Sequence, residues 1–267
     1  ACVMEREDPR DAWVSPHCAG LADLPPNGVV GTSSLRRVVL LREALDALGR
    51  QDVRIEPLRG NLDTRLRKLD EGQYHGIVLA AAGLKRLGLE QRIRAIFEPA
   101  QSLPAAGQGA LGIEVRADRQ DLIDALKPLA HGPSWMRVAA ERTVSRALGG
   151  SCSMPLAAHA EWMADGALRL QAAWGDPDGR HALVRAEETA AVTDLVQAEA
   201  LGEGRLRKQD RRHGGKGRRG APDRCRTAAC RCSNSRTASA PARGDAGCAF
   251  PASTGCRPDP AAGSMPR

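Results

Sequence analysis

No stretch of about 18 apolar residues occurs in the chain, so no segment reads as a membrane-spanning helix. The first ten residues do not form a secretory leader either, since they carry Glu5, Glu7 and Asp8 and no apolar core. They also lack an initiating Met, which leads us to expect coding sequence upstream of Ala1. Metal chemistry finds no ligand set: the six histidines are scattered, and the C-terminal cysteines have neither partner histidines nor regular spacing. There is no Walker loop, and GQGALG at 107–112 precedes a strand where a dinucleotide loop opens a helix. Of the eight cysteines only Cys2, Cys18 and Cys152 precede residue 202, too few and too widely spaced for a disulfide framework. Such usage fits a reducing, cytoplasmic compartment.

Leucine, isoleucine and valine are missing altogether after Leu206. A segment of that composition cannot bury enough apolar surface to offset chain entropy, so 202–267 is expected to be a disordered basic tail. The change of composition falls within a helical pattern, which suggests an out-of-frame translation of GC-rich DNA. A rival reading is a basic arm for nucleic acid. The tail holds one aromatic, Phe250, and so lacks platforms on which bases stack; no nucleic-acid partner is expected. The net charge of +7 also originates there, because residues 202–267 carry 15 Lys and Arg against 5 Asp and Glu. Residues 1–201 carry 24 and 27, so anions must be bound there by local clusters rather than by bulk charge.

What is present is an alternation of α and β patterns. Residues 28–31 (GVVG), 53–58 and 77–81 read as strands, and 33–48 and 63–71 as helices ended by Gly49 and Gly72. Repeated β-α-β units predict a parallel or mixed sheet covered by helices. LPAAGQGALG at 103–112 breaks the pattern as a hinge or crossover. Helices are predicted near 118–129 and 134–148. Strands are predicted at 156–160, 167–174 and 181–186, with turn chemistry between them. A last helix starts near Ala191 and is expected to stop around Leu201.

Three strand-to-helix turns deliver basic residues. GTSSLRR at 31–37 offers free backbone N–H groups at a helix start, a cap from Ser33 or Ser34, and the guanidiniums of Arg36 and Arg37. It reads equally as an ordinary cap followed by solvated arginines. LRGNLDTRLRKLDEG at 58–72 brings Arg59 and Arg65, or else is a polar surface helix with salt bridges to Asp63, Asp70 and Glu71. AAAGLKRLGL at 80–89 adds Lys85 and Arg86. Ligands of open α/β sheets sit at the carboxyl ends of strands, so these six side chains can converge on one cleft for a ligand with several carboxylates or phosphates. LGGSCSMP at 148–155 sets Cys152 in a Gly-Gly-Ser loop, as a nucleophile, a covalent tether or a small buried apolar side chain.

These stretches, with EREDPRDAWVS at 5–15, SLPAAGQGALGIEVR at 102–116 and AAERTVSRALGGSCSMPL at 139–156, together resemble hydroxymethylbilane synthase (porphobilinogen deaminase), in order along 1–201. The resemblance implies an α/β fold: a periplasmic-binding-protein-like lobe with a mostly parallel sheet and flanking helices. A small C-terminal α+β domain with a three-stranded antiparallel sheet would follow. It divides the chain into a remnant of a first lobe (1–8), a second lobe (9–105), a segment returning to the first lobe (106–128), a cofactor-bearing domain (129–201) and the tail. It implies a transferase of porphyrin and haem biosynthesis, a cytoplasmic monomer. Four porphobilinogen units would condense, with loss of ammonia, into linear hydroxymethylbilane on a dipyrromethane primer joined by a thioether to Cys152. Thr32, Ser33, Ser34, Arg36, Arg37 and Arg59 would then hold the cofactor, and Arg65, Lys85 and Arg86 the substrate.

The chain departs from the family pattern in one decisive respect. The resemblance assigns the essential aspartate to an H-S-x-K-D motif of the first lobe, and no such motif occurs here. The expectation is therefore an N-terminally truncated chain with an aberrant tail, without a catalytic residue and without turnover. The alternative is a non-catalytic α/β module that binds polycarboxylates and carries nothing on Cys152.

Overall fold

A computed structural model describes residues 2–150 and 154–213, with side chains through 204, all within one compact unit spanning Ala1–Gly217. Cys152 and residues 214–267 lie outside the described residues.

The first layer is a five-stranded sheet built from β2 (Asp11–Val14), β3 (Val29–Gly31), β4 (Arg54–Glu56), β5 (Gly76–Ala80) and β6 (Ala95–Ile96). Its order is β4-β3-β5-β2-β6. β3 runs parallel to β4 and β5, while β2 runs antiparallel to β5 and β6. The sheet is therefore mixed, one of the two arrangements expected, with four strands running one way and β2 alone reversed. The pattern reading did not assign β2 and β6: DAWV and AI are too short for their periodicity to stand out.

Alternation along the strands sorts the core into two faces. Ala12, Val14, Val29, Ile77 and Leu79 point to one side, against Leu66 and Leu69 of α2 (Leu62–Asp70) and Leu84 of α3 (Ala81–Arg86). Trp13, Val30 and Val78 point to the other, against Leu41 and Leu45 of α1 (Leu35–Ala47). Trp13 is fully buried and packs on Gly76, where a Cβ would lie 2.1 Å from the indole ring. The helices begin where local chemistry caps them: the Ser34 side chain accepts from the Arg37 N–H, and the Asn61 side chain from the Thr64 N–H at 2.9 Å.

After the segment at 103–111, β7 (Gly112–Ile113) pairs antiparallel with β1 (Cys2–Val3). α4 (Gln120–Leu126) is shorter than the predicted 118–129 helix, and its last turn tightens into a 3-10 turn over Lys127–Leu129. α5 (Gly132–Ala147) then leads to the three-stranded antiparallel sheet β8 (Leu156–Trp162), β9 (Leu168–Trp174) and β10 (Val184–Ala190), ordered β10-β9-β8. β10 lies later than the predicted 181–186 because its register is set by pairing with β9, Val184 opposite Trp174, and not by its own weak pattern. α6 (Leu195–His213) packs on α5 through Ala198 and Leu201 and runs on to His213, past the predicted stop near Leu201 and into the segment expected to be disordered. Val39 and Leu40 of α1 meet Ala157 and Ala173 of the second sheet, which joins the two cores.

Candidate functional site

The topology explains why charge gathers at one edge of the large sheet. β3, β4 and β5 are parallel, so their carboxyl ends, which launch α1, α2 and α3, share that edge. β2 runs the other way, with Asp11 opposite Ala80, so the amino end of β2 arrives at the same place. A carboxylate is thereby set among the basic turns.

Asp11 is fully buried. Its Oδ2 accepts from Arg36 Nη1 at 2.7 Å and from Ser102 Oγ at 2.8 Å. Its Oδ1 accepts from Arg36 Nη2 at 3.1 Å, Arg37 Nη2 at 2.7 Å, Arg37 Nε at 3.0 Å and Gln108 Nε2 at 2.9 Å. Burial by itself raises the Asp11 carboxyl, but the two guanidiniums more than reverse this and hold it well below the usual carboxylate range. Burial also pulls Arg37 down, opposed by Asp11 and reinforced by the nearby charges of Arg36 and Arg65.

The two arginines are used differently. Arg36 Nη1 also donates to the Leu103 carbonyl at 2.7 Å and Nη2 to Gln108 Oε1 at 3.2 Å, so each terminal nitrogen has two acceptors. Its buried Nε has no partner among the described residues. Arg37 donates Nη1 to the Val78 carbonyl at 3.1 Å. Arg65 is half-buried and donates Nε to the Gly60 carbonyl at 2.8 Å, and the exposed Arg59 guanidinium has no partner among the described residues. Thr32 is buried, its Oγ1 accepting from the Ser34 N–H, and Ser33 Oγ donates to the Leu58 carbonyl at 2.8 Å. The turns carrying Arg37 and Arg59 are tied together by that bond.

Lys85 and Arg86 arise at the same sheet edge but engage other partners. Lys85 Nζ pairs with Glu7 at 3.2 Å and Asp8 at 3.5 Å, and Arg86 Nη2 donates to the Gly109 carbonyl at 2.7 Å. The structure thus joins Arg36 and Arg37 through Asp11, sets Arg65 near enough for Arg37 to feel its charge, and places Lys85 and Arg86 on the loops at residues 7–8 and 109. Asp8 is held at about 2, chiefly by its hydrogen bond from Arg10.

Sequence reasoning passed over Asp11, Ser102 and Gln108. One signal was available: an acidic residue opening the apolar run AWV needs buried cationic partners to stay charged. Cys152 lies outside the described residues, so no geometry attaches to it.

A family model described as "Porphobilinogen deaminase, dipyromethane cofactor binding domain" matches residues 1–124, and one described as "Porphobilinogen deaminase, C-terminal domain" matches 135–207. The chain belongs to the porphobilinogen deaminase family. The first of the two matches contains the whole Asp11 cluster and the second contains Cys152. Among relatives, the porphobilinogen deaminase of Albidiferax ferrireducens is 69% identical over 202 residues, which are 76% of this chain and 62% of that protein. That of Ralstonia nicotianae is 59% identical over 76% of this chain and 59% of its own length. That of Bordetella parapertussis is 55% identical over 78% of this chain and 63% of its own length. The chain therefore spans about three fifths of the porphobilinogen deaminases it matches.

Proposed function

We propose that the chain carries the pyrrole-binding part of a hydroxymethylbilane synthase, a cytoplasmic transferase that condenses porphobilinogen units into a linear tetrapyrrole. The observation that carries this reading is the Asp11 cluster with Arg37, Arg65 and Arg59 at the carboxyl edge of the sheet, inside the stretch matched by a dipyromethane-binding family model. The donor set suits the group. Acetate and propionate side chains need guanidinium donors, and Arg59 and most of Arg65 remain uncommitted among the described residues.

Bound dipyrromethane, held on Cys152, supplies the nucleophilic pyrrole on which porphobilinogen units condense. Asp11 fixes the two arginines beside it, so their charge is oriented before an acid arrives and little reorganisation accompanies binding. Ser33 ties the Arg37 turn to the Arg59 segment. Lys85 and Arg86 hold the loops at 7–8 and 109 and add positive charge for incoming substrate. Residues 9–105 form a lobe of the periplasmic-binding-protein kind, a reading supported by the single reversed strand within an otherwise parallel sheet. Residues 129–201 form the cofactor-bearing domain. The partner is a small molecule, and neither a membrane nor a nucleic acid is engaged; a monomer is expected by light scattering.

Residues 1–267 hold no H-S-x-K-D motif, so this stretch taken by itself is proposed to bind without turnover. Calorimetry with porphobilinogen should show binding that Arg65→Gln weakens about tenfold, the effect of removing one charge-assisted pair, at an unchanged melting temperature. Absence of binding to the unaltered chain would refute the reading. Uroporphyrin fluorescence after oxidation of a porphobilinogen incubation would refute the expectation of inactivity.

A further inference from the structure

Two buried carboxylates organise different parts of the molecule. Asp11 holds Arg36 and Arg37 at the carboxyl edge of the large sheet. Glu141, on α5, holds Arg6 through both oxygens and accepts from the Ala160 N–H of β8 at 2.7 Å. Gln108 belongs to both groups. Its side chain donates Nε2 to Asp11 Oδ1 at 2.9 Å and to the Pro9 carbonyl at 2.6 Å, and its Oε1 accepts from Arg36 Nη2 at 3.2 Å. Its main-chain carbonyl accepts from Arg6 Nε at 2.8 Å, and the N–H of the preceding Gly107 donates to Glu141 Oε2 at 2.7 Å.

The Gln108 amide can sit only one way round. Its N–H faces an anion and its oxygen a cation, so a flipped amide would set like polarity against both charges. The turn that carries it has little freedom. Gly107 and Gly109 take φ values of 73° and 82°, and a Cβ at Gly109 would lie 2.5 Å from the Glu7 carbonyl oxygen. A displacement of α5 or β8 therefore reaches Gln108 through Glu141, Gly107 and Arg6, and the amide passes it to Asp11 and Arg36. In the sequence, α5 and β8 stand on either side of Cys152.

We propose that Gln108 is a positioning residue that couples the two groups, so that the placement of α5 and β8 sets how Arg36 and Arg37 meet an acid. The inference rests on the reading of the chain as a porphobilinogen binder. It adds that affinity at the sheet edge depends on a carboxylate carried by α5. By reciprocity, an acid bound at the sheet edge biases the placement of the two elements that flank Cys152.

The test is a double-mutant cycle on porphobilinogen affinity, by calorimetry of the full chain at neutral pH, with melting curves for each variant. Gln108→Met keeps the length of the side chain and removes its amide. It should weaken binding about fivefold, the lower end of coupling between distinct sites. Arg6→Lys, which keeps the charge and loses the donor to the Gln108 carbonyl, should weaken binding by a similar factor, as should Glu141→Gln. Combined with Gln108→Met, neither should weaken it further, because the link is already cut. Arg65→Gln, whose bond runs to the Gly60 carbonyl, should instead multiply with each of them. Arg6→Lys carries the cycle if Glu141→Gln does not fold. Multiplying effects of Arg6→Lys and Gln108→Met, or unchanged binding in Arg6→Lys, would overturn the coupling; the wider reading then stands if Arg65→Gln still binds weakly. If the unaltered chain binds no porphobilinogen, both fall.

Discussion

At the scale of single residues, Asp11 decides most. Its carboxylate is buried against two guanidiniums, and removing one charge of such a group leaves the others uncompensated. Asp11→Asn should therefore cost about 3–5 kcal/mol in urea denaturation at neutral pH. The sign of the pH effect follows from the depressed folded value. In the unfolded chain the carboxyl titrates near 3.9, so the pair contributes fully above that pH and loses its contribution as pH falls below it. Asp8, held at about 2, adds to the same acid limb. Unaltered chain should lose stability steadily from about pH 4 downward, and Asp11→Asn should start lower and fall less; equal slopes would exclude Asp11 as the source. Gly76 is the second such position. A methyl there meets the Trp13 ring, so Gly76→Ala should lower stability by about 1–3 kcal/mol, with a visible loss of near-ultraviolet signal from the indole.

At the scale of elements, caps and pairing carry the argument. α2 is launched by Asn61, and Asn61→Ala should cost about 1 kcal/mol, with Asn61→Asp restoring it. Because that turn also carries Arg59 and Arg65, the alanine variant should weaken porphobilinogen binding, whereas Asp should not. Helices with repeated apolar positions, α1, α2 and α5, were legible from the sequence to within a few residues. β2 and β6 were not, because two to four residues give no period. β10 was displaced because hydrogen bonding to β9 outweighs a pattern that barely alternates, VRAEETA. The stop predicted for α6 followed composition alone, whereas Ala198 and Leu201 anchor the helix on α5 and it propagates beyond them.

At the scale of the whole molecule, Glu141 joins parts that are far apart in the chain. It binds Arg6, 135 residues away in sequence, together with the Gly107 turn and β8, and His159 Nδ1 stands 3.5 Å from it. Glu141→Gln should destabilise by about 3–5 kcal/mol because Arg6 is left buried without a charge partner. The combined Arg6→Met and Glu141→Met variant should be more stable than Glu141→Gln; a fully additive double-mutant cycle would show that the pair is not coupled. The unfolding transition should be cooperative across both sheets, since Val39 and Leu40 pack directly against Ala157 and Ala173.

The sequence by itself determined which side chains come to the carboxyl edge of the sheet. Strand-to-helix turns are local, and GTSSLRR, LRGNLDTR and AAAGLKR each encode one through short-range capping and spacing. It also determined the family, through long motifs in fixed order. Only the tertiary structure decided what those basic groups face. Asp11 reaches them because a strand from outside the β-α-β repeat enters the sheet reversed, and Ser102 and Gln108 reach them because the 102–108 segment folds back over that edge. Such contacts depend on strand order and burial, which are collective properties of the packed chain and leave no local pattern to read.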